Sequence, residues 1–317
     1  MKHLHSGHLY IVLCALIFST MEVMLKVVHG VFAPLQLTCL RFLFGGILLI
    51  PFALRSIRRK GAKLHRKDFG FFALTGFLFV AVSMVIYQLA VSYTKASVVA
   101  VIFSCNPIFV TILASFVLHE EIRRNHVIAL LLEILAIVII IDPLHAALDP
   151  TGALLAVLAA VVFAVYSVVG KKRTPIYGGI TVTCLSILFG AAELLIVILL
   201  GHIPAIGAFL SSMGLDLLVN VPIFKGISLE VLPAFLYICA INSAGGFVCH
   251  MMAMEKNTAR EASLIFFLKP MIAPVFAFIF LHEEITGNML LGILCFLVGS
   301  GISILPGLIE EKRRATK

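Results

Sequence analysis

The chain has 317 residues, 61% of them hydrophobic and only 13% charged, with a mean hydropathy of +1.12. A soluble globular domain carries roughly 25% charged residues, so an aqueous fold of this size would lack the charge to cover its surface. The net charge of +8 would suit nucleic acid in a soluble protein, but its distribution along the chain argues against that partner.

Apolar runs recur throughout, each near the ~20 residues that cross a ~30 Å hydrocarbon layer as helix. In chain order they cover residues 9–28, 34–54, 69–91, 96–118, 127–141, 152–169, 180–200, 232–252, 262–281 and 289–305. These ten runs predict an all-α integral membrane protein, with the fifth and tenth spans short. The first run follows Lys2 but carries Glu22 and Lys26 and has no small-residue cleavage pattern behind it, so it is read as a span and not a signal peptide.

With the N-terminus on the cytoplasmic side, all but five of the 24 Lys and Arg residues fall inside, in segments 1–8, 55–68, 119–126, 170–175, 255–261 and 309–317. Lys95 and Lys225 lie outside, Lys26 at a helix end, and Arg41 and Lys269 within spans. This asymmetry follows the positive-inside rule and places both termini in the cytoplasm of a multi-pass cell-membrane protein.

The chain repeats itself. Residues 7–26 align with 152–171, sharing Gly7, Leu9, Val12, Leu13, Ala15, Phe18, Val23 and Lys26, and residues 38–45 align with 183–190. A larger offset lays 96–122 on 259–285, pairing Pro107 with Pro270 and His119-Glu120-Glu121 with His282-Glu283-Glu284. The change of offset falls in the long connection between the seventh and eighth runs. Apolar helices resemble one another by composition, so the polar matches carry the argument. Five spans per half is an odd number, so residues 1–145 and 146–317 must enter the membrane from opposite sides. Such inverted repeats are a signature of secondary transporters, whose halves exchange roles around a central site.

A Lys closing the first helix of each half (Lys26, Lys171), Arg41 in the second, and the small-residue, Pro and terminal Glu features of the fourth (Ala96, Pro107, Glu120; Ala259, Pro270, Glu283) resemble the EamA family of the drug/metabolite transporter superfamily. The resemblance covers nearly the whole chain. It implies ten helices in a five-plus-five arrangement, a central cavity, and export of amino acids, other metabolites or drugs. In the small multidrug-resistance relatives a proton-coupling Glu stands two turns before the first-helix Lys. Here that position is Phe18, so that role does not carry over.

Ionisable groups inside a span cost about 2.5 to 3.5 kcal/mol each on insertion scales and should face protein or a wet cavity. Lys269 directly precedes Pro270, whose missing amide is expected to loosen the helix. Its repeat mate is Asn106, so the two positions could line one midplane cavity. Glu22 sits one turn before Lys26, a spacing that allows a pair on one helix face, and Arg41 is a further partner for them or for an anionic group. Glu133 and Glu193 each stand alone in apolar sequence, where an unpaired carboxylate is driven toward its neutral form. Glu22, Glu193 and Glu133 are therefore the candidates for coupling to protons. Gln88 and Ser83 in the third run, and Asn242, Ser243 and His250 in the eighth, make equivalent helices polar, and Gly245-Gly246 would permit close approach or unwinding there.

The expected substrate-binding set is Lys269, Asn106, Asn242, Gln88, His250 and Arg41. No catalytic, metal or cofactor site is expected. The seven cysteines all fall inside apolar runs with no Cys-x-x-Cys pair, and the two His-Glu-Glu copies lack His-Glu-x-x-His spacing and read as helix-end structure. No Gly-x-x-x-x-Gly-Lys-Ser/Thr loop is present, so drive comes from a gradient. The leading expectation is a secondary carrier for a small polar metabolite, an amino acid or related compound, acting by alternating access and exporting it. The alternatives are a multidrug or organic-cation exporter and, further off, a membrane-embedded enzyme acting on a lipid.

Overall fold

The computed structural model describes residues 2–117, 124–141, 150–257, 262 and 264–315. In chain order the bundle runs α1 (Gly7–Val27), α2 (Pro34–Lys60), α3 (Arg66–Tyr93), α4 (Ala96–Val117), α5 (Arg124–Ile141), α6 (Pro150–Lys171), α7 (Gly179–Leu200), α8 (Leu232–Lys256), α9 (Leu264–Leu281) and α10 (Gly287–Ala315). Eight of these are long and apolar enough to cross a membrane. The apolar parts of α5 and α10, Val127–Ile140 and Gly287–Gly299, are shorter, and they coincide with the two runs that are short in the sequence.

Local chemistry fixes the ends. At the start of α2 the Gln36 side chain accepts the Ala33 amide at 3.1 Å, and the helix stops at Gly61, whose φ of 62° suits a left-handed C-cap. At the start of α3, Asp68 accepts the His65 amide at 2.8 Å. Inside the bilayer region α4 breaks at Ser104 and Cys105 and restarts at Asn106, because Pro107 offers no amide to the preceding turn. The expectation that Pro270 would loosen α9 does not hold: the helix is continuous through Pro270 and Pro274, held between α1 and the first half of α4. The middles of α3 and α8, Phe77–Met84 and Ile238–Gly246, are π-helical, so Gly245-Gly246 widens a helix without unwinding it.

The most extensive contacts are α2 on α7 and α5 on α10. Beyond these, α1 packs on α8 and α9 while α6 packs on α3 and α4, and α2 meets α8 while α7 meets α3. Exchanging each helix for the one five positions later maps this set of contacts onto itself. Glycines allow the closest approaches. A Cβ on Gly76 of α3 would stand 2.5 Å from the Gly190 amide nitrogen and 2.6 Å from the Ser186 carbonyl of α7. In the other pair, Gly292 and Gly299 of α10 lie over Ala136 and Ala129 of α5, a small-residue seam of the kind that replaces hydrophobic drive in lipid.

The surface is apolar, with Leu154 68% and Phe280 64% exposed, whereas Glu22, Arg41 and Lys269 are buried. That is the reverse of an aqueous protein and matches a bundle solvated by acyl chains.

Candidate functional site

The buried charges converge near mid-bundle. Lys269 of α9, fully buried, forms an ion pair with Glu22 of α1, which is 1% exposed. The Lys269 ammonium also lies 5.1 Å from the ring centre of Phe103, 5.8 Å from that of Tyr87 and 5.9 Å from that of Phe18. At these distances the ring faces attract a cation, so four helices position one ammonium. Arg41 of α2 and Tyr87 of α3 stand beside the same carboxylate. The Arg41 guanidinium lies 4.5 Å over the Phe42 ring and donates through Nη1 to Met21 Sδ at 3.8 Å. Its Nε and Nη2 find no hydrogen-bond partner among the described residues.

An aromatic wall surrounds this centre. His250 stacks among Phe163 at 5.1 Å, Phe266 at 6.0 Å and Phe18 at 6.2 Å, and its Nδ1 has no partner among the described residues. Phe79, Tyr166 and Phe247 extend the cluster, Phe79 and Tyr166 stacked at 4.2 Å.

The remaining expected residues are distributed differently. Asn106 donates to the Ala160 carbonyl of α6 at 2.8 Å. Asn242 donates to Ile17 O at 3.0 Å and Thr20 Oγ1 at 3.1 Å of α1. Gln88 is buried, with Oε1 unpartnered among the described residues. The repeat mates Lys269 and Asn106 thus each reach the first helix of the opposite half, Lys269 by an ion pair and Asn106 by a neutral hydrogen bond. Glu133 packs elsewhere, beside Cys105 of α4 and Gly299 of α10. Glu193 on α7 is partly exposed.

The pair read from sequence, Glu22 with Lys26, is not formed. Lys26 instead donates at 2.9 Å to the Val91 and Thr94 carbonyls, capping the end of α3. At the same spot Glu283 accepts the Ala96 and Ser97 amides at 2.8 and 3.1 Å and the Ser97 hydroxyl at 2.5 Å, capping the start of α4. One cation and one carboxylate so clasp the 94–97 turn from both sides, complementing the two helix dipoles. His29 lies by this clasp, its pKa held below the usual imidazole value by burial and by Lys26. At the other end of the bundle Lys171 donates to Asn257 O at 3.4 Å. Lys26 and Lys171, and Thr94 and Asn257, are mates under the sequence offsets. The mates of Glu283 and its amides (Glu120, Ala259 and Arg260) lie outside the described residues, as does the His119-Glu120-Glu121 copy.

Sequence reasoning missed Tyr87, Phe18 and Phe103 as walls of the Lys269 site, since an aromatic in an apolar run carries no signal of its own. The clasp was half visible, as Lys and Glu at repeated helix ends.

Comparison with known proteins accords with this architecture. The sequence profile of the EamA-like transporter family matches residues 5–142 and again 150–305. The chain is 35% identical over 305 residues to an uncharacterized transporter of Clostridium kluyveri, covering 94% of this chain and 92% of that one. It is 26% identical to an uncharacterized transporter of Archaeoglobus fulgidus, over 89% and 90% of the two chains. It is also 24% identical to protein PecM of Dickeya dadantii, over 76% and 75%. A crystal structure superposes with a TM-score of 0.68 at 17% identity, over 95% of this chain and 98% of the other, which supports the fold alone. The chain belongs to the EamA-like transporter family, within the drug/metabolite transporter superfamily, and is a multi-pass membrane transporter.

Proposed function

We propose that the protein is a secondary carrier that moves a small zwitterionic metabolite, an amino acid or close relative, by alternating access, and exports it. The observation that carries the reading is the charge balance of the centre: Arg41 and Lys269 face a single carboxylate, Glu22, and Arg41 Nε and Nη2 are unpaired among the described residues. Buried donors left unsatisfied are costly unless a ligand completes them. A substrate carboxylate supplies the missing acceptor at Arg41, a substrate ammonium competes with Lys269 for Glu22, and the aromatic wall accommodates an apolar side chain. The same excess of positive charge disfavours organic cations, and the family points to transport and not to lipid chemistry.

Alternating access is supported by the exchange symmetry of the helix contacts, by the two family matches along one chain, and by the matched Lys26 and Lys171 contacts at opposite ends. In this reading the protein is ten spans in two inverted halves with both termini cytoplasmic. The clasp of Lys26 and Glu283 seals the outer end, and alternating access requires it to open when the substrate leaves on that side. Glu22 is the best-placed proton-coupling group, because a proton there releases Lys269.

A thermal-shift screen of the purified protein with amino acids, organic cations, nucleosides and sugars tests the substrate class. Stabilisation by amino acids that disappears in Arg41→Gln is the expected result. Stabilisation by organic cations alone would overturn it.

A further inference from the structure

At the end of the bundle that carries Lys60, Arg173 and Glu255, a cleft of about 270 Å³ opens between α1, α2, α7 and α8, away from the buried pair. Its walls are of two kinds. Phe52, Ile180 and Met252 form an apolar floor, and Arg55, Arg59 and Lys256 form a basic rim. On α2, Phe52, Arg55 and Arg59 follow one another at three- and four-residue steps and so share one helix face.

The polar groups of the cleft are not equally available. Glu255 is already neutralised: one oxygen accepts Lys60 Nζ at 2.7 Å and the other accepts the Gly179 amide at 2.5 Å. Ser56 donates to the Tyr177 carbonyl at 3.3 Å. Arg55 and Arg59, both exposed, have no hydrogen bond or ion pair among the described residues, and Lys256 lies 5.4 Å over the Tyr10 ring. The cleft therefore presents the uncompensated positive charge of Arg55 and Arg59 beside the apolar Phe52, Ile180 and Met252, at the end of the bundle where the charged segment of α2 begins.

We propose that this cleft binds the headgroup of an anionic phospholipid, with the phosphodiester against Arg55 and Arg59 and the upper acyl chain along Phe52 and Met252. Guanidinium groups bind phosphate oxygens in a bidentate fork. A free anion would gain nothing from the apolar floor, and a zwitterionic lipid would bring a second cation to a rim that already has an excess. The volume takes a glycerophosphate but not two acyl tails, so the tails lie outside in the bilayer. Because α1 and α2 belong to one half and α7 and α8 to the other, the bound lipid bridges both halves. The site is independent of what the protein carries.

The test uses the full-length protein in neutral detergent, with melting temperature and native mass spectrometry as readouts. Phosphatidylglycerol, phosphatidylcholine and inorganic phosphate are added separately. Phosphatidylglycerol is expected to raise the melting temperature and to remain bound about tenfold more strongly than phosphatidylcholine, since each basic residue at the surface favours anionic lipid. The shift is expected to shrink as salt is added, to be lost in R55Q/R59Q, and to persist in R58Q/K63Q, whose exposed side chains lie outside the cleft. An equal effect of phosphatidylcholine, an equal effect of inorganic phosphate, or a full phosphatidylglycerol effect in R55Q/R59Q would overturn the proposal. If R55Q/R59Q does not fold, the salt titration on the unaltered protein decides: a shift indifferent to salt would equally overturn it.

Discussion

Lys269 illustrates how far a single side chain can be understood from its neighbours. Its ammonium is buried with one carboxylate and three aromatic rings, and Arg41 stands beside the same carboxylate, so removing Glu22 strands two buried cations whereas removing Lys269 leaves Glu22 facing Arg41. Glu22→Gln is expected to lower stability by about 3 to 5 kcal/mol through the stranded Lys269 and Arg41 cations, and Lys269→Met by less, because Arg41 still faces Glu22. Replacing both, Glu22→Gln with Lys269→Met, is expected to cost less than the sum of the two single changes, since one buried cation, Arg41, is left without its carboxylate where Glu22→Gln alone leaves two, and not to recover transport. Denaturation of the two single variants and the double variant, compared as a cycle, checks this, and purely additive losses would show that the two groups are not coupled. The sequence disclosed that Glu22, Arg41 and Lys269 had to be buried, because charge inside an apolar run has nowhere else to go. It did not disclose their pairing. Glu22 and Lys26 stand one turn apart, a local signal that any helix reading detects, whereas a contact between the first and ninth helices leaves no mark in the sequence around either residue. Glu133 and Glu193 were grouped with Glu22 for a related reason: a helix apolar on all sides gives no clue to which face a lone carboxylate occupies.

At the level of elements, the α3–α4 turn is the place where two repeated motif residues acquire a structural task. Glu283 satisfies the first amides of α4 and Lys26 the last carbonyls of α3, groups that a helix cannot satisfy for itself. Glu283→Gln is expected to cost about 1 kcal/mol and to speed hydrogen exchange at the Ala96 and Ser97 amides, with α2 and α7 unchanged. Exchange at those amides as slow as in the parent protein would remove Glu283 from the clasp. Helix positions were legible because hydropathy alone marks a membrane span. The break at Ser104 and Cys105 was not anticipated, because loosening was expected at Pro270 and not at its repeat mate Pro107. The uninterrupted course of α9 through two prolines was not legible either, since it depends on the helices packed around it.

For the whole molecule, the proposed topology puts segments 55–68 and 170–175 on one side and 201–231 on the other. Single cysteines placed at Lys63 and at Lys225 are expected to label from opposite sides of the membrane in intact cells, Lys225→Cys from outside. Labelling of both from the same side would overturn the arrangement of inverted halves. The repeat could be read because a few polar residues recur at constant offsets. The way its halves interleave is a property of packing, and apolar sequence leaves it unspecified.

The π-helical stretches in α3 and α8 have one more implication. A π turn holds an extra residue relative to an α turn, so each stretch stores slack in the middle of a span. Loss of one residue within 77–84 can be absorbed by reverting to ordinary α geometry, leaving Tyr87 facing Glu22. The same loss within 69–75 would turn everything beyond it by about 100° and carry Tyr87 out of the centre. These two segments are thus where the bundle tolerates a change of length, and where a helix can rewind without breaking.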